Sequence, residues 1–410
     1  TVVFEGDTNS RISLSNNDSG TSNTVFGKLA GAALASGGTQ NVFIGDNAGN
    51  DVTTADNNVA IGYLAFDQAT DDCDQNIAIG VSAMGGNIAS NDVNNCVAIG
   101  HSAMSGVLTA DASGSVGIGQ TTLSALTSGI GNTGVGFQAL AAEDDGDYNT
   151  AVGYRALTAQ TGTTGEVGNT AVGYQAGLAI VKGKYNTAIG FQALYTDDYG
   201  DTTTAIGFQA LGKQNTTGTS PVTTGNTAVG FYAGLQNVTG TNNTYVGKGA
   251  GQGASGQSNS GNTAVGKDAL LAITTGGDNT AVGNSALLAV AGGARNIAIG
   301  QDAGKAVVSG TGNAFLGEGS GLACTGNQNI TVGCESGDEI TSGDNNITIG
   351  YRASVGTVDG NNQYVIGNSL TGTAVDAIFI GDDGDHVRCD WGSDATWDKV
   401  SDKRKKNVLG

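Results

Sequence analysis

Asn149-Thr150-Ala151-Val152-Gly153 is the stretch that decides the fold, because the same five residues return at 169–173, 226–230, 262–266 and 279–283. In a relaxed form (polar, any, any, aliphatic, glycine) the motif occurs 21 times between residues 23 and 381, mostly 17 residues apart, with extremes of 14 and 23. A period this short is too small for a helical hairpin and is typical of one turn of a β-solenoid. The sequence therefore predicts an all-β fold, a parallel β-roll or β-solenoid of about 17 residues per turn.

The motif positions predict distinct structural roles. The residue before the glycine is aliphatic in 20 of 21 copies, mostly Ile or Val, which fits a pleated strand better than a helix. Asn heads 16 copies and is expected at a corner, where stacked Asn side chains form a ladder. The glycine allows a conformation or a close approach that a Cβ would block. The residues that carry these roles in three of the copies are Asn149, Val152, Gly153, Asn169, Val172, Gly173, Asn262, Val265 and Gly266.

Both sides of the predicted strand are apolar. The residue before the glycine, such as Val152, and the residue two places earlier, such as Thr150, share one side, which we expect to be the interior. The residue between them is Ala in 11 copies and lies on the opposite side. Since that second side also requires covering, by another strand or another chain, the pattern predicts oligomerisation.

Composition excludes several classes of function. The formal net charge is −20, and a body of that sign repels phosphate backbones, so we expect no nucleic-acid partner. The only histidines, His101 and His386, argue against a hydrolase triad and a His-based metal site. Five cysteines without a CxxC pair indicate small buried thiols. No apolar run approaches the roughly 20 residues that span a bilayer. We expect no enzyme activity, no cofactor and no membrane insertion.

The repeat resembles the head repeats of trimeric autotransporter adhesins, in which Asn, small or β-branched residues, an aliphatic residue and Gly are followed by Ala three places later. This resemblance covers roughly residues 23–381, and the same repeat type occurs in phage tail fibres. It implies a side-by-side or intertwined homotrimer of β-rolls, with binding chemistry in variable loops.

The end of the sequence resembles a second family. Ser401-Asp402-Lys403-Arg404-Lys405-Lys406-Asn407 is similar to the opening of the intramolecular chaperone at the C-terminus of phage tail fibres and tailspikes. That chaperone guides trimerisation and then cleaves itself off at a Ser-Asp junction. The resemblance implies Ser401 as the nucleophile of such a cleavage, provided that a chaperone domain follows.

These patterns divide the chain into four predicted segments. Residues 1–22 are expected to be a cap or an attachment segment for other tail proteins, and 23–381 a β-roll shaft. Residues 382–400 lack the repeat, and 401–410 begin the chaperone-like segment.

Loops between the Ala and the next Asn vary in length and are the predicted contact surfaces, chiefly 143–148, 197–202 and 214–225. Clustered acidic residues in the first two suggest solvated loops or, alternatively, calcium ligands. An aromatic stripe is expected to pack between chains or, alternatively, to bind sugar rings. Its members are Phe137, Tyr154, Tyr174, Phe191, Phe208 and Phe231. The candidate contact residues are Asp144, Asp145, Tyr148, Asp197, Asp198 and Tyr199.

Together, these features favour the shaft or receptor-binding part of an extracellular phage or virus tail fibre, which attaches to a host receptor that is a glycan or a protein. Two alternatives stay open. One is the head of a trimeric adhesin on a bacterial cell surface. The other is a monomeric ice-binding β-solenoid, which ten Thr residues in one motif position suggest.

Overall fold

The structure is a computed structural model that describes residues 10–13, 22–69, 72–88, 92–109, 112–162, 165–216, 218, 220–390 and 394–400. Every regular element in these residues apart from isolated turns is a β-strand, and none is an α-helix. Consecutive motif copies pair as parallel strands about one period apart. The predicted all-β solenoid of about 17 residues per turn is therefore confirmed. Ser401 and the segment 401–410 lie outside the described residues, as do most of residues 1–22.

The chain forms two compact units, and the first comprises residues up to Thr203 together with Asn215–Thr223. Its strands are Ser10–Ser13 (β1), Thr24–Lys28 (β2), Val42–Ile44 (β3), Val59–Ile61 (β4), Ile77–Ile79 (β5), Val97–Ile99 (β6), Val116–Ile118 (β7), Thr133–Val135 (β8), Gly146–Asp147 (β9), Thr150–Val152 (β10), Gly165–Glu166 (β11), Thr170–Val172 (β12), Thr187–Ile189 (β13), Gly200–Asp201 (β14) and Val222–Thr223 (β16). From β2 to β13 the motif strands stack in parallel and in register, and β9–β11 and β14–β16 are short parallel pairs between loops.

The second unit comprises Thr204–Gln214 and the residues from Thr224 onward. Its strands are Thr204–Ile206 (β15), Thr227–Val229 (β17), Thr244–Val246 (β18), Thr263–Val265 (β19), Thr280–Val282 (β20), Ile297–Ile299 (β21), Ala314–Leu316 (β22), Ile330–Val332 (β23), Ile347–Ile349 (β24), Gln363–Ile366 (β25), Ala377–Asp382 (β26), Asp385–Asp390 (β27) and Asp394–Val400 (β28). These strands are parallel up to β26, and β27 and β28 then add antiparallel partners. At the other end of the chain, β1 lies antiparallel against β2. That residues 23–381 form one continuous shaft stays a prediction.

The interior of each turn is the Ala side of the motif strand, and the predicted orientation was wrong. Ala151 and Ala171 have no exposed surface, whereas Val152 and Val172, predicted to be interior, are each 36% exposed. The reason is that the coil is narrow. The space between the strand and the opposite side of the same turn is small enough for the methyl group of Ala to fill it. The larger β-branched residues therefore point outward.

At the interior Ala position, an aromatic ring is accommodated beside glycine. Phe315 takes the place of the interior Ala and is fully buried. A Cβ on Gly304 or on Gly321 would collide with its ring, and other turns carry Leu at the same point, such as Leu287. Because Leu287 has a φ of 48° and Gly321 one of 60°, the backbone is nearly the same in both cases. The interior volume of a turn is thus conserved by pairing a large residue with a small one.

We predict that Phe315 and Gly321 are energetically coupled. Phe315→Ala should lower the free energy of unfolding by about 3 kcal/mol, because it leaves a cavity. Gly321→Leu alone should also destabilise, since it overpacks the ring. The double variant restores the common Ala and Leu pairing and should be more stable than the sum of the single changes predicts. Urea unfolding of the four proteins measures the coupling, and strictly additive effects would contradict it.

A ladder of buried Asn amides joins each turn to the next. The Asn279 Oδ1 accepts from the backbone N–H of Asn296 at 3.0 Å, and its Nδ2 donates to the carbonyl of Gly293 at 2.9 Å. Both partners lie in the following turn, so one side chain fixes both strand and loop. Ser115 replaces Asn in one turn, and its hydroxyl makes the same two kinds of hydrogen bond. It donates to the Gly129 carbonyl at 3.2 Å and accepts from the Asn132 N–H at 3.2 Å. The predicted Asn ladder is confirmed.

A second ladder runs two residues before the Asn and was not predicted. The Asp56 carboxylate accepts from the backbone N–H of Thr39, in the preceding turn, at 2.5 Å, and Asp74 accepts in the same way from Asp56 at 2.6 Å. In the second unit, Asp344 accepts from Asn327 at 2.6 Å. These side chains reach back toward the preceding turn, whereas the Asn amides reach forward. Adjacent turns are consequently tied from both directions.

We predict that Asn279→Ala lowers the free energy of unfolding by about 2–4 kcal/mol, because two backbone groups lose buried partners. The control is Asn284→Ala, which alters an exposed residue five positions away and should cost less than about 0.5 kcal/mol. Urea unfolding followed by far-UV circular dichroism measures both. Equal losses in the two variants would show that the ladder amide adds nothing specific.

Candidate functional site

The three predicted contact loops differ in how much side chain they present. Tyr148 is 55% exposed, and its backbone is held by an N–H bond to the Ile130 carbonyl at 2.9 Å. Asp144, Asp145, Asp198 and Tyr199 are partly exposed. The first two loops also contribute β9 and β14 to the short parallel pairs, which give these surface segments a regular backbone.

Asp197 does not lie on the surface. Its side chain is buried, and its Oδ1 accepts from the Thr216 hydroxyl at 2.6 Å and from the Thr216 N–H at 3.1 Å. Asp197 therefore anchors the 214–225 loop, of which the structure describes 214–216, 218 and 220–225. The candidate residues of this loop that are partly exposed are its neighbours Asp198 and Tyr199.

Glu143 is a buried acid beneath the 143–148 loop. It has no exposed surface, its Oε1 accepts from Gly146 N at 2.7 Å, and its Oε2 accepts from Asn149 Nδ2 at 3.2 Å. Burial raises the pKa of Glu143 to about 8, and the charges of Asp144 and Asp145 add to the shift, against the lowering effect of the Gly146 N–H. In the next turn the neutral Gln160 takes this place and accepts from Asn169 Nδ2 at 2.8 Å. The acid thus holds the loop to the Asn ladder.

Acidic residues in these loops mostly cap backbone. Within the described residues, one group of three acids, Glu143, Asp144 and Asp145, has ligand atoms within 4.8 Å of one another. The Glu143 carboxylate is already engaged by two donors, and Asp144 accepts from Gly162 N at 2.9 Å. Asp147 accepts from Ile130 N at 2.8 Å in the manner of the second ladder. These bonds account for the carboxylates of Glu143, Asp144 and Asp147 as parts of the scaffold.

The predicted aromatic stripe exists within each unit as a stack of rings. Tyr154 and Tyr174 are 5.2 Å apart between centroids with a 7° interplanar angle, and Tyr174 and Phe191 are 5.1 Å apart. In the second unit, Phe208 and Phe231 stack at 5.2 Å. Since each ring inside a stack covers the faces of its neighbours, the surface carries mainly ring edges. A sugar ring stacks on an aromatic face, so this geometry favours packing against another protein.

A surface without charged side chains is formed by the first and third residues of each motif strand, and we call it the outward face. Val265 and Val282, for example, are 37% and 36% exposed. No Asp, Glu, Lys or Arg occupies either position in any motif strand from β2 to β25. The sequence analysis did not predict this face, because both sides of the strand are apolar. Hydrophobicity alone does not reveal that the Ala side is the one inside the coil.

No protein-family model matches the chain, and no curated protein matches it significantly in sequence. Across the residues that the structure describes, there is no helix of the length and apolar character needed to cross a membrane.

We predict that Glu143 makes stability depend on pH. Because its folded pKa of about 8 lies above the unfolded value of 4.5, the wild type should lose stability as pH rises from about 4.5 to about 8. The loss over this range should be of the order of 4 kcal/mol. Glu143→Gln, which copies the Gln160 arrangement, should abolish most of this slope and be the more stable protein at pH 8.

Thermal unfolding at pH 5 and pH 8.5 tests the prediction. Asp383→Asn, which removes an exposed carboxylate, serves as the control and should keep the wild-type slope. If Glu143→Gln and wild type change in parallel with pH, the buried acid is not the source.

Proposed function

We propose that the chain is the shaft or receptor-binding part of a phage or virus tail fibre, that it acts as a homotrimer, and that it attaches the particle to a host surface. The observation that carries the proposal is the outward face. On a chain of net charge −20, a face without any charged side chain recurs in every motif strand of both units. Three copies can bring such faces together without opposing like charges.

The apolar side that requires covering is therefore not the Ala side but the Ile and Val side. The Ala side is already closed inside the coil. Exposed β-branched columns of this extent mark an interaction surface. Resemblance of the repeat to trimeric adhesin heads and tail fibres supplies the stoichiometry, and the terminal Ser401 motif favours the tail fibre over the adhesin.

Attachment to the host is proposed for the loops. Tyr148 is the most exposed of the candidate residues, and its neighbours Asp144 and Asp145 are partly exposed beside it. Three copies would present each loop three times, so weak individual contacts would add to a firm attachment. The receptor class is a host-surface glycan or protein.

We predict that Val265→Glu disrupts the assembly, because it would place three carboxylates at one level of the outward face. Light scattering should give the wild-type protein, produced from its full-length gene, about three times the mass of one chain, and the variant a mass nearer to one chain. Ser309→Glu adds the same charge at an exposed position outside this face and should leave the trimer intact.

A monomeric wild type would overturn the trimeric fibre. The outward face would then meet water, and its regular Thr and Val columns would favour the ice-binding solenoid, which thermal hysteresis measures. If a trimer forms, binding of the labelled protein to a panel of intact bacteria is the next test, with Tyr148→Ser as the loop variant and Asn284→Ser as the exposed control.

A further inference from the structure

The outward face of the first unit changes chemistry along the stack. The first residue of the strand is aliphatic from β3 to β7 and threonine in β8, β10, β12 and β13, whereas the third residue stays aliphatic throughout these strands. The aliphatic residues are Val42, Val59, Ile77, Val97 and Val116, and the threonines are Thr133, Thr150, Thr170 and Thr187.

The second unit has a boundary of the opposite sense. Its first five motif strands begin with threonine, and the next four, β21 to β24, begin with aliphatic residues. The threonines are Thr204, Thr227, Thr244, Thr263 and Thr280, and the aliphatic residues are Ile297, Ala314, Ile330 and Ile347. Within each unit, the run of threonine turns meets the run of aliphatic turns at one border, between β7 and β8 in the first unit and between β20 and β21 in the second. Outside these runs, β2 begins with a tenth threonine, Thr24, which pairs with Val42, and Tyr364 of β25 pairs with Ile347.

These threonine hydroxyls have no side-chain partner among the residues that the structure describes. All nine side chains are half-buried, and none of them takes part in a side-chain hydrogen bond with another described residue. Thr203, by contrast, replaces the corner Asn of its motif copy and is buried. The outward hydroxyls are consequently available to a partner that covers the face.

We propose that these borders fix the axial register of three copies of this chain in the assembly. The inference rests on the proposed trimer, whose contact it specifies. A copy of the same chain is the one partner with the same strand spacing, the same order of turns and the same border at the same height. In register, hydroxyl layers meet hydroxyl layers and can bond to one another, and aliphatic layers meet aliphatic layers.

Register needs a device here because the turns are so alike. A chain displaced by one turn, about 4.8 Å, would still present strand to strand and Val to Val along most of its length. At each border, however, a threonine layer would face only methyl groups and lose its hydrogen-bond partners. A polar layer in an apolar contact sets register in coiled coils by the same mechanism. Each mismatched layer should disfavour the displaced form about tenfold, which corresponds to about 1.4 kcal/mol.

Disulfide trapping tests the register directly. Chains with Val152→Cys and chains with Ile189→Cys, one of them bearing a size tag, are produced together from the full-length gene in a Cys334→Ser background. Strands β10 and β13 are two turns apart, about 9.6 Å, which exceeds the reach of about 7 Å for a disulfide. We expect like-with-like disulfides only.

The same pair is then placed in a chain in which these nine threonines and Thr24 are all changed to Val. Unlike-chain disulfides should rise at least tenfold, because displacement no longer separates hydroxyls. A matched chain with Ser at the same ten positions keeps the hydroxyls and should behave as the wild type. A milder variant changes only Thr24 and the four threonines of β8 to β13, and it serves if the fully substituted Val chain does not fold.

The outcomes separate the two proposals. If the Thr chain and the Val chain both form trimers that contain only like-with-like disulfides, the register inference is overturned and the proposed trimer is kept. Unlike-chain disulfides in the Thr chain would overturn it as well. A monomeric protein without interchain disulfides would overturn the proposed trimer and, with it, the register that depends on it.

Discussion

The buried Asn amide that bonds to the backbone of the following turn is the interaction on which the rest of the structure depends. A short coil leaves few backbone partners within itself, so N–H and C=O groups at its corners must be satisfied by the next turn. One amide has both a donor and an acceptor and can serve both needs. Ser115 and Cys96, which replace the Asn in two turns, keep the bond to a carbonyl of the next turn, at 3.2 and 3.4 Å respectively.

That constraint confines variation to the outside. Because each turn must stack closely on the next, interior volume is conserved, and Phe315 is accommodated only beside Gly304 and Gly321. Loop length varies, and three loops are anchored by a buried polar side chain. Glu143, Gln160 and Asp197 do this in the first unit by accepting from loop or corner groups. Surface diversity, which recognition requires, is thus built on fixed anchors.

Much of the fold could be predicted from the repeat, because its period, its corner Asn and its glycine each answer to a local physical need. The orientation of the strand could not, since Ala151 and Val152 are both apolar and only the width of the coil decides which one fits inside. The buried acid was hidden for a similar reason. Glu143 and Asp144 look alike in sequence, but only Glu143 stands seven residues after the motif glycine. Other turns carry buried aliphatic residues at that position, such as Ile180. Comparing turns position by position would have found it.

The interior of the coil does not fix the residues of the outward face. The Asn ladder, the second ladder and the Ala interior close each turn without these side chains, which stack only on their counterparts in the neighbouring turns. In a chain that carries more than twice as many acidic as basic residues, polar or charged side chains would be the ordinary occupants of such a surface. Columns without a single charge, divided into threonine and aliphatic stretches, are therefore best understood as one half of a contact. A border in those columns has a physical purpose only if the surface opposite has the same border, which is why we propose another copy of the chain as the partner.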